Sequence, residues 1–418
     1  MKLINPFYSF SKFITSIIIL LVPSFFLLTS KPGYLFLIIL LISLFGLPFS
    51  LRYLRVNKSN ILFLFSTLFY FLVILFGFFW FGDVEFRNLD TPSRFLLTIP
   101  ILLFISITGV KEKSLTYGIM TAGLILPILY LSGYEFIDAH HLKSGMIALI
   151  SVIFSITAFF LLNDKLTKVE KVLLFIASIC LSFFSFYLAS RATWIAFILT
   201  FLILTYINPN NFSLKTRMIS LAGFLLLFIL MILSSSSSIK KLDRVISYNP
   251  DVLENRNIPK INNDQSITAR ILLWQEALKI SKNNFLLGVG ENNFSNYYED
   301  FTFYTDNFDM EKEHKMVSKK FSHPHNEFLS SLVEQGLIGL ISLLTLFTVP
   351  LLYFLAQIKR VSNENKEYAI FGLALILCYF FYGLTNGVFD HQMTTIFFAG
   401  MIAVSYGSQK YELTKRKT

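Results

Sequence analysis

Apolar stretches of about twenty residues, the length needed to cross a bilayer, recur from one end of this chain to the other. FITSIIILLVPSFFLLT, GYLFLIILLISLFGLPF and ILFLFSTLFYFLVILFGFFWFG come first, and further runs start near Leu96, Leu115, Met146, Val172, Trp194, Ile219, Leu337, Ala369 and Met393. A soluble domain carries about 25% charged residues; this chain has 15%, with 54% hydrophobic residues and a mean hydropathy of +0.62. The expected fold class is an all-α polytopic membrane protein with about twelve transmembrane helices, the runs at Phe95–Gly109 and Met393–Tyr406 being the shortest.

The net charge of +10 follows the same division. With the N-terminus placed inside, the alternating inner segments carry nineteen Lys and Arg residues, from Lys2 and Lys12 to Lys415, Arg416 and Lys417. The short outer loops carry five: Lys31, Arg87, Arg94, Lys143 and Arg191. That bias predicts both termini in the cytoplasm, and it makes the basic excess a matter of topology, with no nucleic acid among the expected partners. The first run lacks a small-residue cleavage site and is followed by Lys-Pro-Gly, which predicts a retained span. Cys180 and Cys378 both fall within apolar runs and read as small buried hydrophobes.

One loop breaks the pattern of short connections. The chain divides into apolar spans over 1–233, a polar segment over 234–333 on the outer face, and spans with a tail over 334–418. Within the polar segment, SITARILLWQEALKIS (266–281) places Ile267, Ile271, Trp274 and Leu278 at helical spacing behind a Ser cap. LLGVGENNF (286–294) reads as a glycine turn, and 295–320 shows no regular period. In HPHNEFLSSLVEQGLIGL, Pro324 suits the first turn of a helix over 324–335 and Gly336 its end.

Three groups facing this outer compartment could carry chemistry. Arg191, in LASRATWIA, has almost no loop around it; an arginine beside hydrocarbon either snorkels to the interface or faces an anion or polar cavity. Arg270 lies in the amphipathic loop helix, where a solvated helix-face arginine is the plain alternative. His325 stands at an expected helix start, where the dipole favours neutral imidazole, a competent general base; a cap or metal ligand is the alternative. His323 and Glu327 could join a metal site, but no second ligand cluster has suitable spacing, and no metal or other cofactor is expected. GVG lacks the Lys and Ser/Thr of a nucleotide loop. Two arginine forks suit a diphosphate, and a base beside them suits an incoming hydroxyl.

SRATW after a span, TARILLWQEAL, LLGVGENNF and HPHNEFLSSLVEQGLIGL leading into the next span, in this order, resemble the O-antigen ligase/polymerase family of bacterial membrane glycosyltransferases. The resemblance covers roughly 190–340 by motif, and the span layout extends it over the chain. It implies a GT-C-like helical bundle with one large helical periplasmic loop. It also implies transfer, without metal or nucleotide sugar, of a glycan from undecaprenyl diphosphate at the periplasmic face of the Gram-negative inner membrane. His325 is then the implied catalytic base, with Arg191 and Arg270 the diphosphate ligands. Arg94, in LDTPSRF, is a further candidate for the diphosphate, and His323, Asn326 and Glu327 are secondary candidates.

For an O-antigen ligase the implied partners are undecaprenyl-diphosphate-linked O-antigen as donor, lipid A-core as acceptor, and membrane lipids. An O-antigen polymerase or a protein O-oligosaccharyltransferase of the same family is the alternative. A lipid-linked glycan transporter is the reading from another class; it should place polar groups at mid-membrane and not in one outer loop.

Overall fold

The computed structural model describes residues 6–29, 33–50, 58–82, 86–132, 141–161, 165–188, 191–207, 257–258, 265–305, 315–360 and 367–415. The expected span near Ile219 and the start of the polar segment lie outside these residues, as does the Arg191 side chain.

Apolar helices dominate. In chain order they are α1 (Pro6–Leu28), α2 (Tyr34–Ser50), α3 (Lys58–Phe81), α4 (Thr98–Thr108), α5 (Ser114–Leu131), α6 (His141–Leu161), α7 (Lys168–Leu188) and α8 (Arg191–Ile207). The polar segment contributes α9 (Gln265–Asn283), and α10 (Glu327–Arg360), α11 (Glu367–Gly383) and α12 (Gln392–Lys415) follow among the described residues. Eleven of the twelve expected spans thus coincide with helices. Four stretches, Phe7–Leu28, Lys58–Phe81, Phe86–Thr108 and Glu327–Lys359, are long and apolar enough to cross a membrane, while Tyr34–Pro48, Ser114–Leu129, Gly145–Phe159 and Glu367–Gly383 are shorter apolar helices. Large side chains such as Phe45, Phe79, Trp80 and Leu131 stand exposed on the bundle, as lipid-facing residues do, and the chain is an integral membrane protein.

The loops fall into two groups. Lys111 N–H donates to Ser16 Oγ, and Lys12 sits 4.7 Å above the Tyr411 ring. Nearby, Lys113 pairs with Glu170 at 3.0 Å, and the Glu367 carboxylate caps α5 by accepting from Lys113 N, Thr116 N and Thr116 Oγ1. These are all segments that the charge bias assigns inside. The segments it assigns outside gather at the other end, around Tyr70, Asp90, Glu327 and Asp390.

At that second end α9 packs on the start of α10. Helix α9 forms close to the expected 266–281, but the buried face is rotated from the expected one. Ala269, Leu272, Leu273, Ala277 and Ile280 are buried, together with Val289, Phe294, Tyr298 and Val333, whereas Leu278 is 48% exposed. Positions 269, 272, 273, 277 and 280 keep the helical period, and two small alanines in the stripe permit close approach. The polar segment is also not wholly helical. Strands β1 (Asn257–Ile258), β2 (Phe301–Thr305) and β3 (Lys315–Lys319) form a small sheet, with β1 parallel to β2 and β3 antiparallel to it. FTFYT has the aromatic and β-branched content of a strand, but five residues are too few to show a period.

Candidate functional site

Helix α10 starts three residues later than expected. Asn326 is its N-cap: Oδ1 accepts from Phe328 N and Leu329 N at 3.0 Å each, satisfying two donors that a helix start leaves open. Pro324 therefore precedes the helix instead of occupying its first turn, and its carbonyl accepts from Trp274 Nε1 at 3.1 Å. The other end of Asn326, Nδ2, donates to Leu384 O at 2.9 Å. Asn326, a secondary candidate, is thus accounted for by structure: it ties the loop to the turn between α11 and α12.

His325, just before the cap, has φ 54°, left-handed backbone that a β-carbon makes costly. Strain of this kind persists where the surroundings hold it, commonly at functional sites. Its ring lies 4.3 Å from that of His323, centroid to centroid, and 5.8 Å from Phe321. Phe321 is held in turn by the Tyr298 hydroxyl, which donates to its carbonyl at 2.6 Å and accepts from its N–H at 2.7 Å. Burial pushes the Tyr298 phenol up to about 12.

Gly336 is the next fixed point. With φ 69° and ψ −162° it interrupts α10, which resumes as an apolar helix to Arg360. The interruption frees the carbonyls of Val333 and Glu334, and the N–H groups of Val289 and Gly290 donate to them at 2.9 Å each. Leu337 N donates to Phe285 O at 2.7 Å on the other side. A β-carbon on Gly288 would lie 2.4 Å from the Glu334 carbonyl carbon, and one on Gly336 would lie 2.3 Å from that of Leu286. The glycine turn of LLGVGENNF is therefore a backbone clasp on the kinked helix.

Between these parts lies an acidic cavity of about 20 Å³, lined by Tyr70, Glu291, Glu327, Glu334, Gln335 and Asp390 among others. Glu327 is firmly seated: Tyr70 OH donates to Oε1 at 3.2 Å, and Val388 N and Phe389 N donate to Oε2 at 2.7 and 3.1 Å. Gln335 Nε2 donates to Glu291. Burial, reinforced by the charge of Asp390 and opposed by the Gln335 bond, pushes the Glu291 carboxyl up to about 7. Asp390 Oδ2 lies 3.2 Å from His323 Nδ1. Among the described residues, no group of three or more His, Cys, Asp or Glu could hold a metal ion.

The structure thus brings His323, His325, Asn326 and Glu327 together, and adds three carboxylates that sequence reasoning missed. Glu291 and Glu334 lie inside quoted motifs, where only the glycines and the apolar pattern drew notice; Asp390 precedes the last apolar run. Carboxylates at the mouths of apolar runs were the available signal. Arg270 is half-buried, one helical turn before Trp274, whose side chain reaches the histidine loop. Arg191 opens α8. Arg94 is engaged locally, with Nη2 2.5 Å from Asp90 Oδ1, and Asp90 also accepts from Gln392 Nε2.

Comparison with known proteins agrees with the motifs. An uncharacterized protein of Haemophilus influenzae is 29% identical over 407 residues, covering 93% of this chain and 97% of that protein. The exopolysaccharide production protein ExoQ of Rhizobium meliloti is 32% identical over 117 residues, 27% of this chain and 25% of its own. A sequence model described as O-antigen ligase matches residues 176–344, the stretch that runs from just before Arg191 past the Gly336 kink. Over those residues the chain is matched to the O-antigen ligase family, the family that its motifs resemble.

Proposed function

We propose that the protein is an O-antigen ligase, transferring a polysaccharide from undecaprenyl diphosphate to a sugar hydroxyl of lipid A-core at the periplasmic face of the inner membrane, both termini being cytoplasmic. The observation that carries this reading is His325: an imidazole in strained left-handed backbone, fixed between a capped helix and Phe321, at the head of a span and inside the matched stretch. In this reading His325 takes the proton of the acceptor hydroxyl, worth about 10²- to 10⁴-fold in rate. Arg191 and Arg270 hold the diphosphate as it leaves, and Arg94 is a weaker third ligand because Asp90 already engages it. The acidic cavity repels a diphosphate, which supports assigning that side of the histidines to the acceptor.

The test is the lipopolysaccharide pattern of a deletion strain carrying variants at matched membrane levels. His325→Ala should abolish polymer on core while lipid-linked polymer remains, and His323→Ala should keep part of the activity. Full-length lipopolysaccharide from the His325→Ala strain sinks the assignment. Polymerisation is the second reading, favoured by the similarity to a protein named for exopolysaccharide production; a null strain left with core plus one repeat would establish it.

A further inference from the structure

His323 Nδ1 has two neighbours that make opposite demands. The backbone N–H of His325 points at it from 3.2 Å and needs an acceptor, while Asp390 Oδ2, also at 3.2 Å, needs a proton between them. One proton reconciles both arrangements. On Nδ1 it bonds the carboxylate; on Asp390 it leaves Nδ1 free to accept from His325.

Beyond Asp390 lies the acidic cavity. On its wall, Ser330 and Ser331 are 5% and 2% exposed and Gln335 is 7% exposed; the two hydroxyls and Gln335 Oε1 are buried without a hydrogen-bond partner. Its volume of about 20 Å³ has room for one water, which needs about 10–15 Å³ and two to four polar partners. Among the described residues, the charged and titratable groups that the cavity and the ion pair bring to Asp390 are His323 from the histidine loop, Glu327 and Glu334 from α10, Glu291 from the glycine clasp and Tyr70 from α3. Among the described residues that line the cavity there is no Lys or Arg. Burial, with the charge of Asp390 beside it, pushes the Glu291 carboxyl up to about 7.

We propose that His323, Asp390, Glu291 and a water held by Ser330, Ser331 and Gln335 form a proton path that carries the hydrogen of the acceptor hydroxyl away from His325. This rests on the transfer reading above. The acceptor oxygen gives its proton to the His325 ring and bonds the anomeric carbon. The bond from that carbon to the diphosphate breaks, and its electrons leave with the diphosphate. The proton passes from the His325 ring to the adjacent His323 ring, from Nδ1 to Asp390, and through the water to Glu291, which releases it to solvent before the next cycle. No further reactant is required. His325 remains the catalytic residue, and Asp390 and Glu291 act through it.

The test uses the full chain in liposomes, with a short polyprenyl-diphosphate-linked oligosaccharide as donor and core lipopolysaccharide from the deletion strain as acceptor. Asp390→Asn should lower kcat about 10- to 100-fold with KM unchanged, and added imidazole should restore part of the loss, which it cannot do for a misplaced loop. Glu291→Gln, which keeps the hydrogen-bonding shape beside Gln335, guards against an Asp390 variant that fails to fold; it should remove a kcat inflection near neutral pH. Transfer by the wild-type chain with wild-type kcat and pH profile in both variants, or losses that imidazole leaves untouched, overturns the path alone. No transfer by the wild-type chain overturns the transfer reading and the path with it.

Discussion

Tyr70 and Glu327, 257 positions apart in the chain, meet through a 3.2 Å hydrogen bond from the phenol to carboxylate Oε1. The same carboxylate receives the N–H groups of Val388 and Phe389, so one side chain joins α3, the head of α10 and the loop before α12. Tyr70→Phe removes one buried hydrogen bond and should cost about 0.5–1.5 kcal/mol. Glu327→Ala leaves three buried donors unpaired at once and should cost more than Tyr70→Phe. Thermal unfolding of purified protein, followed by intrinsic fluorescence, ranks the two; equal melting temperatures would contradict the three-way joint.

The glycine clasp makes a second, contrasting pair. Gly288→Ala and Gly336→Ala each put a β-carbon into backbone at 2.4 and 2.3 Å and force alanine into positive φ. Each should lower stability by at least about 1–3 kcal/mol and remove transfer activity. Gly77→Ala, where nothing lies within 4 Å, should be tolerated and should favour α3 by about 0.5–1 kcal/mol. Membrane abundance and melting temperature of the three variants read this directly.

Tyr298→Phe tests whether the loop before the histidines is held in place. The substitution strips both bonds to Phe321 and strands its N–H and carbonyl, at about 1–3 kcal/mol. Because Phe321 packs on His325, kcat should fall while donor binding stays. Unchanged kcat would show that His325 is positioned without this tether.

The raised Glu291 carboxyl has a consequence for stability against pH. Folded, it keeps its proton up to about 7; unfolded, it loses it at about 4.3. Its contribution is therefore complete below the unfolded value and is lost as pH rises through the folded one, at no more than about 1.4 kcal/mol per pH unit. Melting temperature should decline between about pH 4.5 and 7, and Glu291→Gln should flatten that slope. A wild-type slope that survives in Glu291→Gln would assign the titration elsewhere.

At the opposite end, Glu367→Ala leaves Lys113 N and Thr116 N without their cap and should cost about 1–2 kcal/mol. Turnover per folded molecule should not change, because this joint lies at the far end of the bundle from His325.

Long periodic features were legible from the chain alone. The apolar runs, α9, the break at Gly336 and the histidine loop each announce themselves within a few neighbouring residues. What was hidden depends on partners far away in sequence. The helix-start expectation at Pro324 missed Asn326 as the cap, because Asn326 and Pro324 are both good start signals and only the bonds to Phe328 and Leu329 choose between them. The buried face of α9 was misplaced because Ile271 and Leu278 are more hydrophobic than the alanines that in fact face α10. The acidic cavity was invisible because Glu291, Glu334 and Asp390 lie in three separate segments, and none is unusual until the chain folds.

The seating of Glu327 also dictates an order of assembly in the membrane. Ribosomes deliver the head of α10 before Val388 and Phe389 exist, so during synthesis this carboxylate has only Tyr70 to meet. A carboxylate without its partners is expensive in hydrocarbon, which keeps this end of the helix at the aqueous boundary until the hairpin of α11 and α12 arrives. Truncation within that hairpin should therefore leave α3 and α10 inserted but the histidine loop unformed and open to protease. The segment between α11 and α12, made after α10, is the one that completes the seat of Glu327.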